Sequence, residues 1–185
     1  MKAGIFVAGA AVLLAGCNAS VEASLSPEEQ AMLDKVAIAD LLNRYYEGFG
    51  KTEADAFNQF YTDDATFDVN GIVAHGKKEI EGIYAGLDSS GESPATRGTF
   101  HMLITNPVID VDGDSATAKV LWTGIMNSDI SAPPTFVEQG REYDKLVKQD
   151  GKWLIQHRVV IADSGLPASM KDTYKPRKDF KFDKE

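Results

Sequence analysis

Thr99-Phe100-His101-Met102-Leu103-Ile104-Thr105-Asn106-Pro107-Val108-Ile109-Asp110-Val111 runs into Asp112-Gly113-Asp114, and Ala116, Ala118, Val120 and Trp122 then recur at every second position as far as Met126. This stretch predicts two long strands around one tight turn. Asp-Gly between two alternating runs is a strong hairpin signal, because glycine accepts the positive φ that a primed turn demands. His101 falls near the open start of the hairpin, an ionisable group among apolar strand residues.

Downstream, Phe136 to Val147 and Trp153 to Ala162 form a second strand pair around Asp150-Gly151, after a loop from Asn127 to Pro134. Upstream, Ser26-Pro27-Glu28-Glu29 gives a helix start, with Ser26 as cap, Pro27 in the first turn and Glu29 closing a capping box. Ile38, Leu41, Leu42, Tyr45 and Phe49 share one helical face, and Gly48 and Gly50 end the helix. A shorter helix from Thr52 carries Phe57, Phe60 and Tyr61. Short strands at Ala65–Val69 and Ile72–His75 flank an Asn70-Gly71 turn, and a third helix opens at Gly76 with Ile80, Ile83, Tyr84 and Leu87 on one face.

Helices followed by consecutive strands predict the α+β class: a curved mixed or antiparallel sheet wrapped around the N-terminal helices as a cone-shaped barrel, open at one end. Residues 26–162 form the domain. Residues 163–185 are an extension expected to lie on the surface or to be partly disordered.

The formal net charge of −9 argues against a nucleic-acid partner, since phosphate binding needs a basic field. The histidines, His75, His101 and His157, are too scattered for a zinc site, and no metal or organic cofactor is expected. No phosphate loop, nucleophile elbow or dinucleotide fingerprint occurs.

The first sixteen residues read as a targeting segment: Lys2, then an apolar run from Ile5 to Leu14 too short to span a bilayer. Leu14-Ala15-Gly16-Cys17 resembles a bacterial lipobox. The resemblance implies cleavage before Cys17, lipidation there, and a tether over residues 17–25. The expected location is the cell envelope, anchored by lipid and facing the periplasm, with the outer membrane favoured over the inner by Asn18. Cys17 is the sole cysteine, so a lipidated chain has no thiol left for catalysis or for a disulfide.

Six short motifs recur together. They are Leu42-x-Arg44-Tyr45-Tyr46, Phe60-Tyr61-x-x-Asp64-Ala65-x-Phe67, Gly76-Lys77-x-x-Ile80, His101-x-x-x-x-Asn106-x-x-Ile109, Gly140-Arg141-x-Tyr143-Asp144 and Asp150-Gly151-x-Trp153-x-Ile155. In this order, over roughly Pro27 to Ala162, the chain resembles the SnoaL-like branch of the nuclear transport factor 2-like superfamily. Relatives include scytalone and bile-acid dehydratases, ketosteroid isomerase, polyketide cyclases and non-catalytic binding proteins. The resemblance implies acid–base chemistry without a cofactor, as a lyase (a dehydratase or one eliminating a small aldehyde) or an isomerase, on a small hydrophobic, oxygenated aromatic or polycyclic molecule. It also implies a possible homodimer.

By that resemblance His101 takes the place of the dehydratase histidine, and Tyr46 or Tyr45 that of the helix tyrosine. A neutral imidazole moves a proton near pH 7, and a phenol in an apolar wall donates to a developing oxyanion. The family's usual aspartate falls at Gly50, leaving Asp144, Glu47 and Asp55 as candidates to replace it. Arg141 is the candidate for holding an anionic group, with Trp122 and Tyr143 as further substrate-binding positions. The alternatives are a core or surface role for these residues: an ion pair from Arg141 to Glu138, Glu142 or Asp144, and core packing for Trp122 and Trp153. For the molecule as a whole the alternative is a ligand-binding or interaction lipoprotein without chemistry.

Overall fold

A computed structural model describes residues 25–49, 54–89 and 98–182. Helix α1 (Pro27–Glu47) begins with the expected capping box: Glu29 N–H donates to Ser26 Oγ, and Ser26 N–H donates to Glu29 Oε2. The second helix is a short 3₁₀ turn, Ala54–Phe60. β1 (Tyr61–Val69) starts four residues before the expected Ala65, and β2 (Ile72–His75) pairs back on it. Asn70 and Gly71 between them both have positive φ, +55° and +90°, the requirement of a type I′ turn. Helix α2 (Gly76–Ser89) follows, then β3 (Thr99–Asp112), β4 (Ser115–Asn127), β5 (Thr135–Gln149) and β6 (Lys152–Ser164).

The strands form one six-stranded sheet in the order β2-β1-β6-β5-β4-β3. Only the β1–β6 pairing is parallel, so the sheet is mixed. It is an open cone rather than a closed barrel, with β2 and β3 at its edges.

The concave face receives α1. Ile38, Leu42 and Tyr45 are buried in a common core with Ala116, Ala118, Val120, Leu146 and Ile155. β4 keeps the alternation expected of it, with Ala116, Ala118, Val120, Trp122, Gly124 and Met126 buried. β3 is less regular. Phe100, Met102 and Ile104 turn inward, pairing breaks between Thr105 and Val108, and Ile109 and Val111 then turn inward. Asn106 at φ +51° and Pro107, which lacks an N–H, make this bulge, and it resets the inward face by one residue.

The described part of the extension lies against the sheet. Phe180 packs with Tyr143, Val159 and Ile161 on the convex face, joined by Tyr174 and Phe182. Met170 instead joins the main core. The apolar residues that do this work are few but spaced along the tail, and a sequence reading weighted by overall composition passes over them.

Candidate functional site

Between α1, α2 and the concave face lies a cavity of about 90 Å³. Its walls are apolar: Phe49, Phe67, Val69, Ile83, Met102 and Val160. Gly165, Pro167 and Met170 of the tail close one side. Tyr45, Tyr46, Tyr84, Asn70, Glu138 and Trp122 complete the lining. Asn70 is committed elsewhere: its Oδ1 accepts from Ala162 N–H at 2.8 Å and its Nδ2 meets Met170 Sδ at 3.3 Å. The indole N–H of Trp122 has no acceptor among the described residues, although the side chain is 6% exposed. A buried donor without a partner costs about 1–3 kcal/mol.

Trp122 reaches this position because its cross-strand partner is Gly140. A Cβ there would stand 2.3 Å from the Ile161 carbonyl oxygen and 2.4 Å from the Trp122 ring. The glycine before Arg141 therefore permits a close approach, and the approaching group is the indole.

Behind the tyrosines is a fully buried charged cluster. Arg158 Nε donates to Asp144 Oδ1 at 2.7 Å, and its Nη2 lies 3.3 Å from Asp144 Oδ2 and 3.1 Å from Glu142 Oε1. Tyr46 Oη contacts Glu142 Oε2. The guanidinium carbon sits 4.0 Å from the centre of the Tyr45 ring, a cation–π contact. Tyr45, Tyr61 and Tyr84 join their hydroxyls in a small cluster, with Tyr45–Tyr61 at 3.2 Å and Tyr61–Tyr84 at 3.3 Å. Burial pushes the Tyr45 hydroxyl up to about 12, despite the pull of Arg158. Burial holds Tyr46 well above the ordinary phenol range. Burial works against the Arg158 charge, but Asp144 and Glu142 keep it firmly protonated.

The expected site residues separate into two groups. Tyr45, Tyr46 and Trp122 meet at the cavity. His101, Arg141 and Tyr143 do not. His101 is exposed on β3, and it lines a separate polar cleft with Asn43, Glu47 and Phe100. That cleft shares the Tyr46, Phe49 and Met102 walls with the cavity. The more apolar set, Phe100, Met102 and Ile104, took the inward face and turned His101 out.

Arg141 pairs with none of the three carboxylates anticipated for it. On the convex face its Nη2 meets Asp163 at 2.8 Å, and it donates to the backbone carbonyls of Arg177 at 2.6 Å and Lys178 at 2.5 Å. Tyr143 donates to Asp179 Oδ1 at 2.8 Å. Both residues hold the tail. Of the substitutes for the missing aspartate, Asp144 is bound to Arg158, Glu47 is exposed beside the His101 cleft, and Asp55 is exposed on the 3₁₀ turn. Trp153 is a core residue whose Nε1 donates to Asp34 at 2.9 Å. Gly50 and Cys17 lie outside the described residues.

Glu142 and Arg158 are the residues that the sequence reading missed. The period of two carried a signal: Gly140, Glu142 and Asp144 alternate with Arg141, Tyr143 and Lys145, and Leu146 continues the first set. That apolar continuation marks the first set as the inward one.

Residues 30–159 match the model of the SnoaL-like domain, and the chain belongs to that family. Solved structures agree on the fold. A protein of unknown function from Mycobacterium tuberculosis is 23% identical, with a TM-score of 0.63 over 76% of this chain and 78% of that chain. ActVI-ORFA from Streptomyces coelicolor is 18% identical, with a TM-score of 0.62 over 74% and 99%. A candidate scytalone dehydratase from Novosphingobium aromaticivorans is 17% identical, with a TM-score of 0.58 over 79% and 91%. No curated protein matches the chain.

Proposed function

We propose that the protein is a cofactor-independent acid–base lyase or isomerase acting on a small hydrophobic, oxygenated molecule, with an aromatic or polycyclic skeleton, held in the cavity under α1. The observation that carries this reading is the buried, unpaired indole N–H of Trp122, a residue of the largely apolar cavity wall to which Tyr46 also belongs. A ligand oxygen accepting from Trp122 removes a buried unsatisfied donor, and the aromatic walls suit a flat skeleton. Tyr46 is the proton-donating hydroxyl, and Tyr45 supports it from the neighbouring position. His101 lies outside this cavity, so the proton chemistry is assigned to Tyr46.

Elimination of water or of a small aldehyde is the reaction to test first. A panel of hydroxylated aromatic and polycyclic ketones, followed by mass spectrometry, should reveal a compound that loses such a fragment. Tyr46→Phe should lower turnover by roughly 10²–10⁴-fold, the usual worth of a positioned proton donor. Trp122→Phe should weaken binding by roughly 2- to 10-fold, the worth of one neutral hydrogen bond. A ligand that binds tightly and returns unchanged would make the protein a binding module, and unaltered binding in both variants would exclude the cavity.

The lipid anchor at Cys17 belongs to the same proposal and places the protein on the envelope membrane. Incorporation of labelled fatty acid into the chain, lost in Cys17→Ser, is the expected result; equal labelling in the variant would exclude it.

A further inference from the structure

Glu142, Asp144 and Arg158 have no part in the cavity wall, yet all three are completely buried. The cluster is unbalanced, with two carboxyl groups on β5 facing one guanidinium on β6. An unmatched charge in a dry interior is costly, and such a group sheds the cost by taking up a proton. The single positive charge is matched to Asp144, which holds Arg158 at both Nε, 2.7 Å, and Nη2, 3.3 Å. Glu142 has Nη2, at 3.1 Å, and the carboxyl of Asp144 beside it, and its other oxygen meets Tyr46. Tyr46 in turn borders the cavity.

We propose that Glu142 is a buried proton store for the cavity, a positioning residue that gives up and recovers its proton through the Tyr46 hydroxyl while Arg158 and Asp144 accommodate the change of charge. The proposal rests on the reading of the cavity as a ligand site. The class of ligand it serves carries an oxygen that gains a proton: a phenolate, a carbonyl becoming an enol, or a leaving hydroxyl.

The groups facing Glu142 are Tyr45 and Tyr46 from α1, Tyr61 from β1, Asp144 from its own strand and Arg158 from β6. Its cross-strand neighbours, Val120 and Val160, are uncharged. Burial pushes the Glu142 carboxyl well above the usual range; Arg158 opposes that and Asp144 adds to it. Tyr46 O–H donates to Glu142 Oε2 while Glu142 is a carboxylate; once Glu142 takes up a proton the bond reverses, its O–H donating to Tyr46 Oη, and the Tyr46 O–H turns toward the cavity. As the ligand oxygen takes the Tyr46 proton, Tyr46 Oη takes the Glu142 proton. One proton has moved, Tyr46 is unchanged, and Glu142 is left as a carboxylate against Arg158 Nη2.

Two measurements on the full chain test this. Infrared spectroscopy at neutral pH should show the C=O band of a protonated carboxyl in the wild type. The band should be absent in Glu142→Gln and shifted in Tyr46→Phe, which keeps the carboxyl if the first variant fails to fold. The second uses para-nitrophenol, whose phenol and phenolate differ in colour. Its titration when bound to the wild type should shift to higher pH than that of the free probe, and the shift should vanish in Glu142→Gln and in Tyr46→Phe. A wild type without the band, or the same bound titration in wild type and Glu142→Gln, would overturn the proton store. Failure of the probe to bind any form would overturn the cavity reading and the relay with it; a band still present would then show that the cavity, and not Glu142, was misread.

Discussion

Substituting alanine for Gly140 would drive a methyl group into the Ile161 carbonyl and the Trp122 ring. Gly140→Ala should therefore cost about 1–3 kcal/mol through overpacking and displace the indole. A lower denaturant midpoint, together with changed Trp122 fluorescence, is the expected result. Arg158→Met should cost about 3–5 kcal/mol, because it strands two buried carboxyl groups without their cation. Adding Glu142→Gln and Asp144→Asn should recover most of that loss in the same assay. At this scale the sequence was half legible. Tyr45, Tyr46 and Trp122, singled out by their type and place, line one cavity. His101 was misplaced because an ionisable residue drew attention from its neighbours, whose greater apolarity decided the face.

The elements were read more easily than the contacts that dock them. The capping box of α1, the Asp150-Gly151 hairpin and the Asn70-Gly71 turn are local signals, complete within four residues, and each forms as expected, while the first hairpin turns one residue later, on Gly113-Asp114. The docking of α1 is not local. Asp34 accepts from Lys148 Nζ at 2.7 Å, 114 residues away, from Trp153 Nε1 at 2.9 Å and from Gln30 Nε2 at 3.2 Å. No spacing rule announces such a contact. Burial pushes the Asp34 carboxyl up, but its three donors outweigh burial and hold it below the usual range. A carboxyl lowered on folding contributes stability above its unfolded pKa, and that stability is lost as pH falls through the folded value. Asp34→Asn should therefore flatten the acid limb of a midpoint-against-pH plot. It should also cost about 1–3 kcal/mol near neutrality, for the loss of a charged acceptor among buried donors.

The whole molecule joins two carboxyl groups of opposite sign in this respect. Glu142 is raised on folding, so its contribution is present below its unfolded pKa and is lost as pH rises through the folded one. Stability should fall as pH rises above the ordinary carboxyl range, and Glu142→Gln should remove that fall while leaving the acid limb. Denaturant midpoints across pH check both; the same fall in Glu142→Gln would assign it to other groups. The overall architecture follows from alternation and element order, and the family match agrees with it.

The tail adds something that neither alternation nor element order announces. One end supplies Pro167 and Met170 to the cavity wall, and the other is clasped by Arg141 and Tyr143 on the far side of the sheet. Whatever fills the cavity must therefore tighten a segment that carries the trypsin targets Lys171, Arg177 and Lys178. By mass action, cleavage there from the opened state should slow by a factor approaching one plus the ratio of ligand concentration to Kd. The tail is thus a built-in gauge of occupancy, readable with a protease before any substrate is known.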